Sequence, residues 1–232
     1  MNLQTVRNSQ PLTEPALLTG SQIRWLSSVI SRICHDEPNL EYIVPDQAAR
    51  RMVLPSFLQA AILAGQLYGQ VHIGENHDGI AVWIGPEHNL RFRQIMQTTL
   101  PEECLERYMK LAESVEVART NLAVRPHWYL MLLAADASLP DKIIGETLIA
   151  PVLSQADSTG TPCYLETFDA SRLSLYRNHG FVITGAGRIP DGGPNFWTMA
   201  RTAFLPSCQD AISLTTVGGC SQSVKSVLTP QG

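Results

Sequence analysis

From His127 to Ala135 the chain reads HWYLMLLAA, an almost unbroken apolar run. A strand with one wet face alternates apolar and polar residues, so a run of this kind predicts cover on both faces. An amphipathic helix from about Lys142 to Gln155 follows, and CYLETF then reads as a second strand. Strand, helix and strand in that order over residues 127–168 predict a right-handed βαβ crossover with parallel strands. Around this unit the signals are antiparallel. GQVHIGE and GIAVWIG flank NHDG, whose Asp-Gly is a hairpin turn signal, and FVITGAGRI and NFWTMAR flank PDGGP. The expected fold class is therefore α/β with a mixed sheet.

Helices frame the sheet. Ile23, Leu26, Ile30 and Ile33 recur at helical spacing, with Ser21 as a candidate cap. DEPNLEYIVPD breaks that pattern with two prolines, and QAARRMVLPSFLQAAILAGQL predicts a second helix, bent at Pro55 and stopped near Gly65. Residues of about 90–120 are expected to form a helical insertion, whose apolar stripe is Cys104, Leu105, Tyr108, Leu111, Ala112 and Val115. ASRLSLYRNHG predicts a short helix ended by Gly180. From residue 203 to 232 the chain turns Ser/Thr/Gly-rich, which predicts a disordered tail behind a single domain over 1–202.

Composition narrows the partners. A formal charge of -4 and the lack of any Lys/Arg run argue against nucleic acid or an anionic membrane surface. Five widely spaced cysteines without a CxxC pair fit reduced thiols in a cytoplasmic protein, and no long apolar run predicts a membrane span. CHDE at Cys34–Glu37 has metal-type side chains, but consecutive residues at a helix end do not converge on one point, so no metal site is expected.

The stretch CYLETFDASRLSLYRNHGFVITGAGRIP followed by NFWTMAR resembles the last two motifs of the GCN5-related N-acetyltransferase (GNAT) superfamily. The piece YRNHGF is its most recognisable part. HWYLMLLAAD resembles that family's central strand, and PDKIIG stands where the family has its Q/R-x-x-G-x-G/A loop. The resemblance spans about residues 20–202 and implies a GNAT fold with splayed parallel strands. It further implies acetyl-CoA, or a related acyl-CoA, as donor and an amine or hydroxyl of a small molecule as acceptor, in a monomer or homodimer. Backbone groups of Leu133, Ala134 and Ala135 would hold the pantetheine arm, and an N–H near Leu133 would hold the thioester oxygen. Lys142, Ile144, Gly145 and Glu146 would form the diphosphate corner at a helix N-terminus. Asp169 and Arg172 stand where many relatives carry asparagines that bind the arm.

Tyr176 matches the family's usual general acid, which protonates the departing thiolate. Glu166 is the first candidate for the base, since strand alternation puts it with Tyr164 and Phe168 on one face; His127 is the second. Trp83, His127, Tyr129 and Trp197 are candidates to line an acceptor pocket. The corner departs from the family pattern at three positions: Pro140 replaces Gln or Arg, Asp141 adds like charge beside a diphosphate, and Ile143 replaces a glycine. Ser138 and Asp141 also fit a capping box, so the same loop can be read as a plain helix start. Two rival readings follow from these departures: a GNAT fold turned to CoA-independent biosynthetic chemistry, or a non-catalytic ligand-binding protein.

Overall fold

The computed structural model describes residues 15–88, 100–119 and 126–203. The expected tail and the first part of the expected insertion lie outside these residues. Among them the chain runs α1 (Gly20–Ile33), α2 (Pro38–Ile43), α3 (Gln47–Tyr68), β1 (Gly69–Ile73), β2 (Gly79–Ile84), α4 (Glu102–Ala118) and β3 (Trp128–Ala135). A broken helix, α5, follows in three consecutive segments: Asp141–Ile144, a π-helical turn over Gly145–Ile149, and Ala150–Thr159. Then come β4 (Cys163–Thr167), a 3-10 turn (Ala170–Arg172), α6 (Leu173–Asn178), β5 (Val182–Arg188) and β6 (Asn195–Arg201). The described strands form one sheet in the order β1-β2-β3-β4-β6-β5. β3 and β4 pair in parallel and every other pairing is antiparallel.

The apolar run at 128–135 is covered on both sides, as its composition requires. On one face Ile23, Leu26 and Ile30 of α1 and Leu54, Leu58 and Ile62 of α3 pack on Val71, Ile80, Val82 and Ala134. On the other face Leu148, Ile149 and Val152 of α5 pack on Ala81, Trp83, Leu130, Cys163 and Leu165, with Leu175 and Tyr176 of α6 completing that core. The π-turn precedes Pro151, which has no N–H to donate, and Ala150 N–H bonds to Gly145 O instead.

Four local expectations change. Thr19, not Ser21, caps α1, in a capping box with Gln22. Pro38 does not interrupt structure; it opens α2, because proline at the first helical position gives up an N–H that has no partner there. Pro55 lies inside α3, but that helix continues past Gly65 to Tyr68. A Cβ at Gly65 would come within 2.3 Å of Val82 Cγ1, so this glycine serves close helix–sheet packing and not termination. The Ser138/Asp141 capping box does not form: Pro140 is the N-cap and Ser138 bonds to Asp136.

Candidate active site

The strand pair that anchors the crossover separates early. β3 and β4 pair at Trp128↔Cys163, Tyr129↔Tyr164 and Leu130↔Leu165, and β3 then runs five residues further to Ala135 without β4 beside it. A bulge explains how β3 faces the gap. Val82 pairs with Leu132 while Trp83 pairs with Leu130, so Met131 is the extra residue. Asp136 N–H donates to Asp78 O across to the β2 side, and alternation then turns the backbone of Leu133 and Ala135 toward the gap. Ala134 is corrected by the same register: its backbone groups face Ile80 on β2.

The gap opens into a cavity of about 180 Å³ that crosses the sheet. Leu58, Ala61, Tyr108, Leu111 and Val115 of α3 and α4 wall one side, and Tyr176 of α6 closes the other. Glu166 stands on this wall, half-buried, on the face it shares with Tyr164, as strand alternation requires. Tyr129 donates a hydrogen bond from its hydroxyl to Glu166 Oε1. Above them lies Arg119, the residue after α4, its guanidinium carbon 4.0 Å from the Tyr164 ring centre and 5.6 Å from that of Tyr129. Burial pulls the Arg119 guanidinium down, but the surrounding Glu166, Tyr164, Tyr129 and Glu116 hold it above its ordinary value. Burial, reinforced by Glu166, pushes the Tyr129 and Tyr164 phenols well above theirs.

Tyr176 is buried beneath the gap, edge-on to Phe181 at 6.2 Å between ring centres. Burial raises its phenol, and Arg172 partly opposes the rise. At the mouth Glu37 joins Asp169 and Arg172 on the cavity wall. Burial raises the Glu37 carboxyl, Arg172 lowers it and Asp169 raises it further. Asp169 also accepts from the backbone and hydroxyl of Ser171, and Arg172 lies 4.0 Å from it.

The expected diphosphate corner has a different interior logic. Asp136 takes the Ser138 N–H on its carboxylate at 2.9 Å and the Leu139 N–H on its carbonyl at 2.9 Å, and Pro140 has none. Three successive positions therefore offer no amide to an anion. Lys142 lies 3.9 Å from Glu146, Ile144 is core, and Ile143 is 44% exposed. Gly145 fits against His179: a Cβ there would meet Nε2 at 2.2 Å and Cε1 at 2.3 Å.

Of the expected residues, the cavity brings together Tyr129, Leu133, Glu166, Asp169, Arg172 and Tyr176. Trp83 is corrected to core, fully buried with its indole N–H on Leu148 O at 3.3 Å. His127 is buried behind Tyr164, ring centres 5.7 Å apart, and Trp197 sits half-buried on β6 beside Thr167; neither lines the cavity. Arg119 and Glu37 escaped the sequence reading. The α4 stripe itself pointed to Arg119, since Val115 and Arg119 are one i,i+4 step apart on the inward face. Glu37 was legible only as part of CHDE, a cluster discounted as a metal site.

No protein-family model matches the chain. Solved structures do match it. A Corynebacterium glutamicum protein described as "histone acetyltransferase HPA2 and related acetyltransferase" shares 18% identity at a TM-score of 0.54, covering 84% of this chain and 99% of its own. A Drosophila melanogaster polyamine N-acetyltransferase shares 13% at 0.56, covering 80% and 97%. An Aedes aegypti arylalkylamine N-acetyltransferase shares 10% at 0.50, covering 82% and 98%. A mixed sheet whose central parallel strands splay around a through-going cavity defines the class of fold. The chain has the GNAT N-acetyltransferase fold.

Proposed function

We propose that this chain moves an acetyl or related acyl group from an acyl-CoA to an amine or hydroxyl of a small molecule held in the cavity. One observation carries the reading: the gap between β3 and β4 opens onto a wall that also bears Glu166 and Tyr176. Leu133 and Ala135 supply main-chain groups along the gap, to which an extended arm adds as a strand would. Glu166 takes the proton of the nucleophile, with Tyr129 fixing its carboxylate and Arg119 moderating its charge. The bond from nucleophile to acyl carbon forms as the carbon–sulfur bond breaks, and Tyr176 gives its phenolic proton to the leaving sulfur.

A buried phenol stays protonated at neutral pH, and a thiolate is costly in the same surroundings. Cys34, on the cavity wall, shows that cost: burial, with Glu37, pushes its thiol up to about 12. Of the three structural neighbours named above, two carry names that specify an amine acceptor, a polyamine and an arylalkylamine. The mixed wall of aromatic, aliphatic and acidic groups accommodates a small amine with an apolar body. Thiol release from acetyl-CoA across a panel of small amines and alcohols tests the proposal. Glu166→Gln is expected to lower turnover about 10²-fold; full turnover in that variant contradicts the assignment of the base.

A further inference from the structure

The two halves of the donor site are built to different standards. The half that would hold an arm is intact: a gap, a bulge at Met131 that aims Leu133 and Ala135 into it, and a buried phenol at its end. The half that would hold a diphosphate is not. Ser138 and Leu139 spend their N–H groups on Asp136, and Pro140 has none. Between Asp136 and Glu146 three exposed carboxylates, Asp136, Asp141 and Glu146, face one ammonium, a formal -2. Asp136 is held ionised, because the hydroxyl and amide of Ser138 lower its carboxyl.

The loop's cation does not repair this. Lys142 lies 3.9 Å from Glu146, and Arg172 sits by Asp169 in the cavity. The surviving glycine, Gly145, is accounted for by His179, whose ring occupies the space a Cβ would need. His179 in turn is fixed through Nδ1 on Leu175 O at 2.9 Å. An anion at this corner meets like charge, and of the amides leading into α5 only those of Asp141 and Lys142, the first on a residue that itself bears a carboxylate, are not already spent, where binding calls for a run of free N–H groups and a positive end.

We infer that the donor site reads the pantetheine arm and its thioester, not the nucleotide end, so that its donor class includes pantetheine thioesters lacking the diphosphate. The inference rests on the acyl-transfer reading above. The chemistry is unchanged: the thioester carbon–sulfur bond breaks, the acyl carbon joins the acceptor nitrogen or oxygen, and the proton of the nucleophile is balanced by one delivered to sulfur. Such an arm can come from a free pantetheine thioester or from one carried on a protein through a single phosphodiester.

Calorimetric titration of the full-length protein with pantetheine, CoA, adenosine 3′,5′-bisphosphate and a phosphopantetheine-bearing carrier protein tests this directly. A diphosphate held by two charge-assisted hydrogen bonds separates CoA from pantetheine by about 100-fold or more. The expected result is less than a tenfold difference, with no binding of the bisphosphate. Carrier protein binding more than tenfold tighter than pantetheine also supports the inference and assigns the arm to a protein source. CoA binding more than tenfold tighter than pantetheine overturns the inference while leaving acyl transfer from CoA standing. Absence of binding by CoA, pantetheine and carrier protein alike overturns the inference together with the acyl-transfer reading.

Discussion

Gly145→Ala separates a glycine kept for packing from one kept for phosphate. The new Cβ would lie 2.2 Å from His179 Nε2 and 2.3 Å from Cε1, well inside contact distance. Gly145 has φ -62, so the backbone accepts alanine without strain, and helix propensity alone favours the change by about 1 kcal/mol. Against that stand about 1–3 kcal/mol for overpacking and about 1 kcal/mol for the His179 Nδ1–Leu175 O bond, broken when the ring moves aside. The net expectation is a loss of about 1–3 kcal/mol. For a domain of this size each kcal/mol lowers Tm by roughly 2–4 °C. Urea denaturation of the two single variants and of Gly145→Ala/His179→Ala closes the cycle. In the His179→Ala background the alanine should cost nothing, or stabilise by up to about 1 kcal/mol. Equal cost in both backgrounds, or no cost in the first, refutes the packing account.

Other perturbations follow from the same structure. His72 on β1 is buried, and burial lowers its imidazole from the ordinary 6.5 to about 4. The unfolded chain therefore binds the extra proton between these values, so this stabilisation is complete above pH 6.5 and lost as pH falls toward 4. It amounts to up to about 3 kcal/mol. The difference in unfolding free energy between wild type and His72→Leu should fall by that order across the window, and a pH-independent difference would contradict it. Arg201, buried on β6, holds Asp157 of α5 through two bonds of 2.7 Å. Asp157→Ala should cost about 2–4 kcal/mol in urea denaturation, below the range for a wholly buried pair because Asp157 is partly exposed; a cost under about 1 kcal/mol would count against it. Trp83→Phe removes one hydrogen bond in the core, to Leu148 O. It should cost about 1 kcal/mol and leave donor affinity unchanged, whereas a selective loss of affinity would return Trp83 to the site.

The architecture was legible because its strongest signals are local. The apolar run at 128–135 demanded cover on two faces, and the helix between two strands demanded parallel pairing. Period-2 alternation placed Glu166 on the correct face of β4. The separation of β3 from β4 was foreseen only through the family resemblance, since no residue of either strand announces where pairing stops. The bulge at Met131 was invisible for the same reason: two chains decide a register, and neither encodes it alone. Glu37 and Arg119 were missed because they reach the cavity from segments some 130 and 47 positions away from Glu166 in sequence. Trp83 was misplaced because aromatic character marks a core as readily as a pocket. The loop at 136–146 shows its lack of glycines in its residues alone, whereas the capture of the Ser138 and Leu139 amides by Asp136 depends on how the chain turns there.

The assignment of Tyr176 as the proton donor stands at the centre of this account. Tyr176→Phe keeps the ring that packs on Phe181 and removes the hydroxyl alone. Turnover measured beside calorimetric donor affinity should fall by about 10²-fold or more with affinity essentially unchanged. Full turnover in Tyr176→Phe would contradict it.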